Sequence, residues 1–284
     1  MNKPITRASY HERIDRVLEY IHNHLDDELD MNRLAEIACF SPYHWHRIYR
    51  ELVGETAAQT VRRLRMHRAA GELIKEDRDV AKIARDAGFS SVEAFNRAFR
   101  SSFDLPPGRF RTHYKLHAVQ NNFKQGKPIM SNVEIRDLPA MRLATVHHKG
   151  PYMEISRAFE KLGLWIQSNI TPTESTKVLA IYYDDPMAVA PEKLRSDAAI
   201  EVDHTIKADD TVNITELKSG RHAVYLHKGP YADLQTSYSW LYQTWLPNSG
   251  EETADAPPFE VYLNNPKSTP PADLLTEICI PLAG

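Results

Sequence analysis

No run of about 18 apolar residues occurs in the sequence, which excludes a membrane-spanning helix from its expected elements. The opening stretch, MNKPITRASYHERID, holds no apolar segment either, so no secretory signal is expected and a cytoplasmic location is. Cysteine is scarce, with only Cys39 and Cys279 present. Each falls among apolar neighbours, which predicts two buried free thiols in a reducing compartment. No His, Cys, Asp or Glu spacing suits a metal ion, and neither a phosphate loop nor a nucleophile elbow is present. A bound metal, a cofactor and catalysis are therefore not expected. Heptad repeats are missing too, which leaves a monomer as the simplest state.

What is present has the balance of a globular chain: 42% hydrophobic and 26% charged residues over 284 positions, enough for two ordinary domains. The formal net charge of −3 conceals an asymmetry. Residues 1–115 hold 20 Lys and Arg against 17 Asp and Glu, and 16 of those cations are arginines. The rest of the chain holds 15 against 21. Arginine's bidentate fork suits phosphates and guanine edges.

The first part reads as helix after helix. Ile14, Val17, Leu18, Ile21 and Leu25 recur at helical spacing. Asp30 and Asp79 each cap a short helix, and Ser41-Pro42 and Ser90-Ser91 each open another. A long helix runs between the two pairs from about Thr56 to Ile74. Leu34, Ala35, Ala38, Phe40, Trp45, Ile48 and Tyr49 have the spacing of a helix-turn-helix core. Ile83, Ala84, Ala87, Phe89, Phe95 and Phe99 repeat it about 49 residues on. The polar face left over is Tyr43, His44, His46, Arg47 and Arg50 in the first unit. In the second it is Val92, Glu93, Asn96, Arg97 and Arg100. Arg and Asn pair with guanine and adenine edges, and Glu93 could accept from cytosine. Solvated surface charge is the alternative for Arg47 and Arg97, and phosphate contact suits Arg50 and Arg100.

Residues 116–130 lose all periodicity and read as a linker. Beyond them strands and helices alternate, and the string His148-Lys149-Gly150-Pro151-Tyr152 recurs as His227-Lys228-Gly229-Pro230-Tyr231. Arg142 and Arg221, Ala144 and Ala223, Phe159 and Tyr238, and Leu162 and Leu241 match at the same offset. Ile181-Tyr182 matches Val261-Tyr262 one residue further along, and Glu201-Val202 is aligned with Glu277-Ile278. The expected fold is multidomain. An all-α double helix-turn-helix domain over 8–115 is followed, after the linker, by an α+β domain over 131–284. The latter consists of two duplicated strand-helix-strand-strand units with a central cleft.

The set Val80, Ile83-Ala84, Gly88-Phe89, Phe95, Arg97, Phe99-Arg100, Pro106-Pro107 and Phe110-Arg111 resembles the signature of the AraC/XylS family of bacterial transcription regulators. Asp104 stands where many members have Gly, and Phe110 where Tyr is common. The resemblance implies double-stranded DNA as a partner, read in successive major-groove segments about one helical turn apart, with RNA polymerase a further candidate partner. The HKGPY strings, Arg195-Ser196-Asp197 and the closing Thr276-Glu277-Ile278-Cys279-Ile280-Pro281 resemble gyrase-inhibitor-like effector-binding domains. This second resemblance implies an apolar, aromatic-walled cleft with an acidic residue that takes a small hydrophobic ligand, cations among the candidates. Glu277 is the acidic candidate. Tyr152, Tyr231, Tyr182, Tyr262, Trp165 and Trp240 are the aromatic ones, each with a plain core role as the alternative. Two other functions stay open at this point: hydrolysis of small toxic electrophiles by Glu277 with Tyr231, and a protein-interaction module.

Overall fold

A computed structural model describes residues 7–27, 29–75, 78–103, 105–112 and 133–284, without the side chains of 7–9, 42–43 and 75. The expected linker and Asp104 lie outside the described residues. Among the described residues the first domain holds α1 (Arg7–Asn23), α2 (Met31–Ile37), α3 (Pro42–Val53), α4 (Ala57–Lys75), α5 (Val80–Asp86) and α6 (Val92–Phe103), and residues 107–112 are helical as well. Their starts follow the local chemistry. The Asp30 and Asp79 carboxylates accept from the backbone N–H groups of Asn32 and Ala81, and Ser91 Oγ accepts from Ala94. Thr56 and Gln59 bond reciprocally to open α4, a capping box.

Each helix-turn-helix unit has its own core. Ile14, Val17, Leu34, Ala35, Trp45 and Tyr49 lie together in one, and Leu73, Ile83, Ala84, Phe95, Phe99 and Phe110 in the other. The connecting helix α4 gives Val61 and Leu64 to the first and Met66, Ala69, Ala70 and Leu73 to the second. One rigid rod thus sets the spacing of both units. The turns match: Phe40 N–H donates to Ala35 O at 3.0 Å and Phe89 N–H to Ala84 O at 3.0 Å. At the turn itself Gly88 takes φ +81°, and its counterpart is Cys39 at φ +51°.

That placement corrects the expectation of two buried thiols. Cys279 is buried, but Cys39 is exposed, because the tight turn lifts it off the core. A left-handed L-residue costs about 1–2 kcal/mol, part of which glycine returns as lost entropy. Cys39→Gly is therefore expected to raise stability by about 1 kcal/mol, read as a higher urea midpoint with an unchanged slope.

The second domain is one eight-stranded antiparallel sheet: β1 (Glu134–Leu138), β2 (Met141–Lys149), β3 (Val178–Tyr182), β4 (Arg195–Glu201), β5 (Asn213–Leu217), β6 (Gly220–Lys228), β7 (Phe259–Tyr262) and β8 (Leu275–Pro281). Helix α7 (Ser156–Asn169) follows β2. Helix α8 (Leu234–Trp240) follows β6 and continues through a π-helical turn, Leu241–Trp245. The strand order is β1-β6-β8-β7-β3-β4-β2-β5. Each duplicated unit is thus preceded by one further strand, and those strands are exchanged. β1 pairs with β6 of the second copy, and β5 pairs with β2 of the first. The two copies meet where β3 runs antiparallel to β7, with Ala180 directly opposite Glu260. The repeat offset of 80 maps one of these residues onto the other, so this pair lies on the pseudo-two-fold axis.

The repeat register also needs correcting. Asp197, not Glu201, is the counterpart of Glu277, since β4 and β8 both begin one residue after the matching Leu194 and Leu274. The recurring HKGPY string is a turn device. Gly150 and Gly229 sit at φ +140° and +142°, and their N–H groups donate to Leu194 O and Leu274 O. The His148 ring bonds the Pro151 carbonyl, and the His227 ring bonds Ser237.

The two domains touch along α1 and α7 and where α4 crosses the 3-10 turns Tyr152–Glu154 and Tyr231–Asp233. Much of this contact is polar. Glu160 is bonded by His22 at 2.7 Å and by Arg63 at 3.3 Å. Gln167 donates to Leu52 O, Lys267 to Val53 O, and Ser168 Oγ lies 2.7 Å from His11. Among the described residues no helix is long and apolar enough to cross a membrane.

Candidate functional site

The two second helices of the helix-turn-helix units divide their residues as a DNA reader requires. On α3, Trp45 and Tyr49 are buried, while His44, His46, Arg47 and Arg50 are exposed. The Tyr49 hydroxyl donates to Thr60 on α4, which pins the helix to the rod. The side chain of Tyr43 lies outside the described residues. On α6, Phe95, Phe99 and Phe103 are buried, Glu93, Arg97 and Arg100 are exposed, and Val92 and Asn96 are intermediate. Arg50 has Glu51 at 3.6 Å, an exposed pair of little energetic weight. Both helices thus turn their arginines outward from one rigid body.

The second constellation lies on the helix-bearing face of the sheet. Glu260 is 2% exposed, a carboxylate within a strand that is otherwise apolar and aromatic. Tyr182 and Tyr262, symmetry counterparts from the two copies, both donate to its Oε2, at 3.0 and 2.8 Å, and their hydroxyls are 3.0 Å apart. Tyr238 turns its hydroxyl toward the same carboxylate without closing a bond. Burial pushes the Glu260 pKa up to about 7, and the tyrosine hydroxyls pull the other way. The walls are rings. Tyr152 meets Tyr182 edge-on at 4.8 Å, while Phe159 and Tyr231 each meet Tyr262 edge-on at 5.4 Å. Aromatic ring faces and a poorly solvated carboxylate are each groups that can pair with positive charge.

Four of the aromatic residues expected from the sequence, Tyr152, Tyr182, Tyr231 and Tyr262, therefore come together. The Tyr152 hydroxyl is spent on the backbone, donating to Asp184 O, so that residue offers its ring. Trp165 is buried, with its indole N–H donated to Asp209, and Trp240 packs on Tyr225; neither bonds Glu260. Glu277 is not part of the cage. Strand alternation turns it to the face away from the helices, where it bonds Arg136 at 2.5 Å. Its counterpart Asp197 is likewise satisfied on that face, by His147 and Tyr183, each at 2.8 Å. Glu277 and Tyr231 accordingly stand on opposite sides of the sheet and cannot act together as base and orienter.

Sequence reasoning misses Glu260, because the run 259–263 reads as an apolar strand whose one acid carries no motif of its own. A signal for it exists in the repeat: between matching aliphatic and tyrosine positions, Ala180 in one copy faces Glu260 in the other.

Residues 131–283 match the model of the GyrI-like small-molecule binding domain, and residues 34–113 that of a helix-turn-helix domain. An uncharacterized HTH-type transcriptional regulator of Bacillus subtilis, YbfP, is 32% identical over 106 residues. That match covers 37% of this chain and 36% of the relative, so the chain spans about a third of that protein's length. A DNA gyrase inhibitor of Citrobacter koseri is 34% identical over 137 residues, covering 46% of this chain and 86% of the relative. Over nearly the whole chain, a cryo-EM structure of an EcmrR–DNA complex in EcmrR-RPo superposes with a TM-score of 0.50 at 13% identity. It covers 97% of this chain and 98% of that one, a likeness of fold alone.

Proposed function

Because the chain belongs to the GyrI-like small-molecule binding family and joins that module to an AraC-type helix-turn-helix domain, we propose that it is a transcription regulator that reads double-stranded DNA with α3 and α6 and answers to a small aromatic cation bound at Glu260. The observation that carries the second half is the broken symmetry at the axis. Ala180 shows that the fold packs well without a carboxylate there, so folding alone does not account for an acid at 2% exposure. A cation that enters the ring cage supplies the missing partner charge. The first half rests on Arg47, Arg50, Arg97 and Arg100 projecting from the two matching helices, with His44, His46, Asn96 and Glu93 beside them as further base or phosphate contacts. RNA polymerase is the partner that such a regulator engages at a promoter.

Two measurements test the reading. Arg47→Ala and Arg97→Ala are each expected to weaken binding to the chain's own promoter duplex by about 1–3 kcal/mol and to relax selectivity locally. Fluorescence anisotropy against that duplex and a scrambled one reads both effects. Unchanged affinity in both variants would remove α3 and α6 as the reading helices. Tetraphenylphosphonium is the probe for the cage, and it is expected to bind with about one molecule per chain and to shift the affinity for the promoter duplex.

A further inference from the structure

The ring cage at Glu260 is covered on one side by the other domain. Helix α4 crosses both 3-10 turns that open the paired helices of the cleft. At Gly71 there is room for Met153 of the first turn, whose Cε would lie 4.0 Å from a Cβ there. His67, one turn earlier, has its ring 6.2 Å from that of Tyr231 in the second turn. Tyr231 packs on Tyr262, and Tyr262 bonds Glu260, so two ring contacts separate the DNA-reading domain from the carboxylate. Ala232 beside Tyr231 packs against the core of the second helix-turn-helix unit.

We infer that α4 is the lid of the effector site, that His67 is one of its walls, and that a ligand reaches Glu260 by displacing this helix from the cleft. The inference rests on the reading of Glu260 as the effector carboxylate.

Three features support a lid that opens. The contact between domains carries charged and polar bonds beside apolar residues such as Leu164 and Ala232: Glu160 with His22 and Arg63, Lys267 with Val53 O, Gln167 with Leu52 O and Arg157 with Asn23. Charged groups regain hydration when they part, which offsets much of what the closed contact provides, whereas a purely apolar seam has no such return. His67 is held neutral, its pKa pushed down to about 4 by burial, so it does not repel a cation. The Arg63 charge is taken up by two carboxylates. Displacing α4 moves both reading helices at once, because each packs on it. Ligand and DNA then respond to the same movement with no need for a signal through residues 116–130.

If the ligand binds only the open form, its apparent affinity scales with the open fraction. Loosening the latch must then tighten ligand binding. Tetraphenylphosphonium binding by the full chain is compared in the wild type, Glu160→Gln, His22→Ala and Glu260→Gln, with His22→Ala standing in if Glu160→Gln does not fold. Both latch variants are expected to bind the probe roughly tenfold more tightly than the wild type. Saturating probe is expected to speed amide exchange along residues 59–71 of the wild type. Equal affinity in the wild type and latch variants, with loss only in Glu260→Gln, overturns the lid and leaves the effector reading standing. Unchanged exchange over 59–71 at saturation overturns it as well. Binding by none of the four overturns the effector reading and the lid with it.

Discussion

Glu260→Gln is expected to cost tetraphenylphosphonium about 3 kcal/mol of binding, roughly a hundredfold in Kd, while triphenylphosphine oxide, a neutral compound that keeps three of its four phenyl rings, shifts by no more than a few fold. The difference between the two probes isolates charge from shape. The same substitution has a signature without ligand. Burial holds the Glu260 pKa at about 7 in the folded protein against an ordinary 4.5. The folded state therefore binds a proton that the unfolded state has already lost between those values. Stability from this group is fully present below pH 4.5 and is lost as pH rises through about 7, to a total of roughly 3 kcal/mol. Urea midpoints of the wild type and Glu260→Gln should converge at low pH and separate in favour of the variant above neutrality. Cation binding runs the other way and strengthens as pH rises through the same range, because the ionised carboxylate is the form that pairs. Parallel stability profiles for the two proteins, or equal losses for both probes, would contradict the axial carboxylate as the charge partner.

Gly88→Ala is expected to destabilise the DNA-reading domain by about 3 kcal/mol, through φ at +81° and a collision. A Cβ at this position would lie 2.3 Å from Arg65 Nη1. That guanidinium is no free end: it donates to Leu25 O at 2.8 Å and to Asp27 O at 2.6 Å, tying the connecting helix to the first unit. Steric relief therefore breaks a link between the two units. Adding Arg65→Ala to Gly88→Ala should recover the collision part of the loss and leave the backbone part, a positive coupling in a double-mutant cycle. Additive losses would show that the collision is relieved elsewhere.

The helical half was legible because its determinants are local. Asp30, Asp79 and Ser91 cap helices within three residues of themselves, and Phe95 and Phe99 face inward wherever a helix of that phase exists. The strand that precedes each copy is less local. β1 and β5 alternate weakly, bury none of their residues fully, and gain their partners from the opposite copy, so nothing near them in sequence announces a strand. The cleft was legible in its rings and not in its acid. Tyr152 and Tyr231 stand out through an identical string, while Glu260 is conspicuous only when its symmetry mate Ala180 is set beside it. Glu277 is the acid that the resemblance to effector-binding domains singles out, and it turns away from the rings. Which way it points depends on strand phase, and Arg136 lies 141 residues away in the chain.

The exchanged strands β1 and β5 carry a consequence for descent. A chain with a single copy could build this sheet only as a homodimer whose protomers swap their first strands. In such a dimer every residue on the axis meets itself. Two glutamates at the Glu260 position would face each other across an antiparallel pair, about 5 Å apart, and one would have to stay protonated. Fusing the copies into one polypeptide releases that constraint. Position 180 became free to hold alanine, and a single charge could then occupy the centre of an otherwise symmetric ring cluster, an arrangement that no pair of identical subunits can reach.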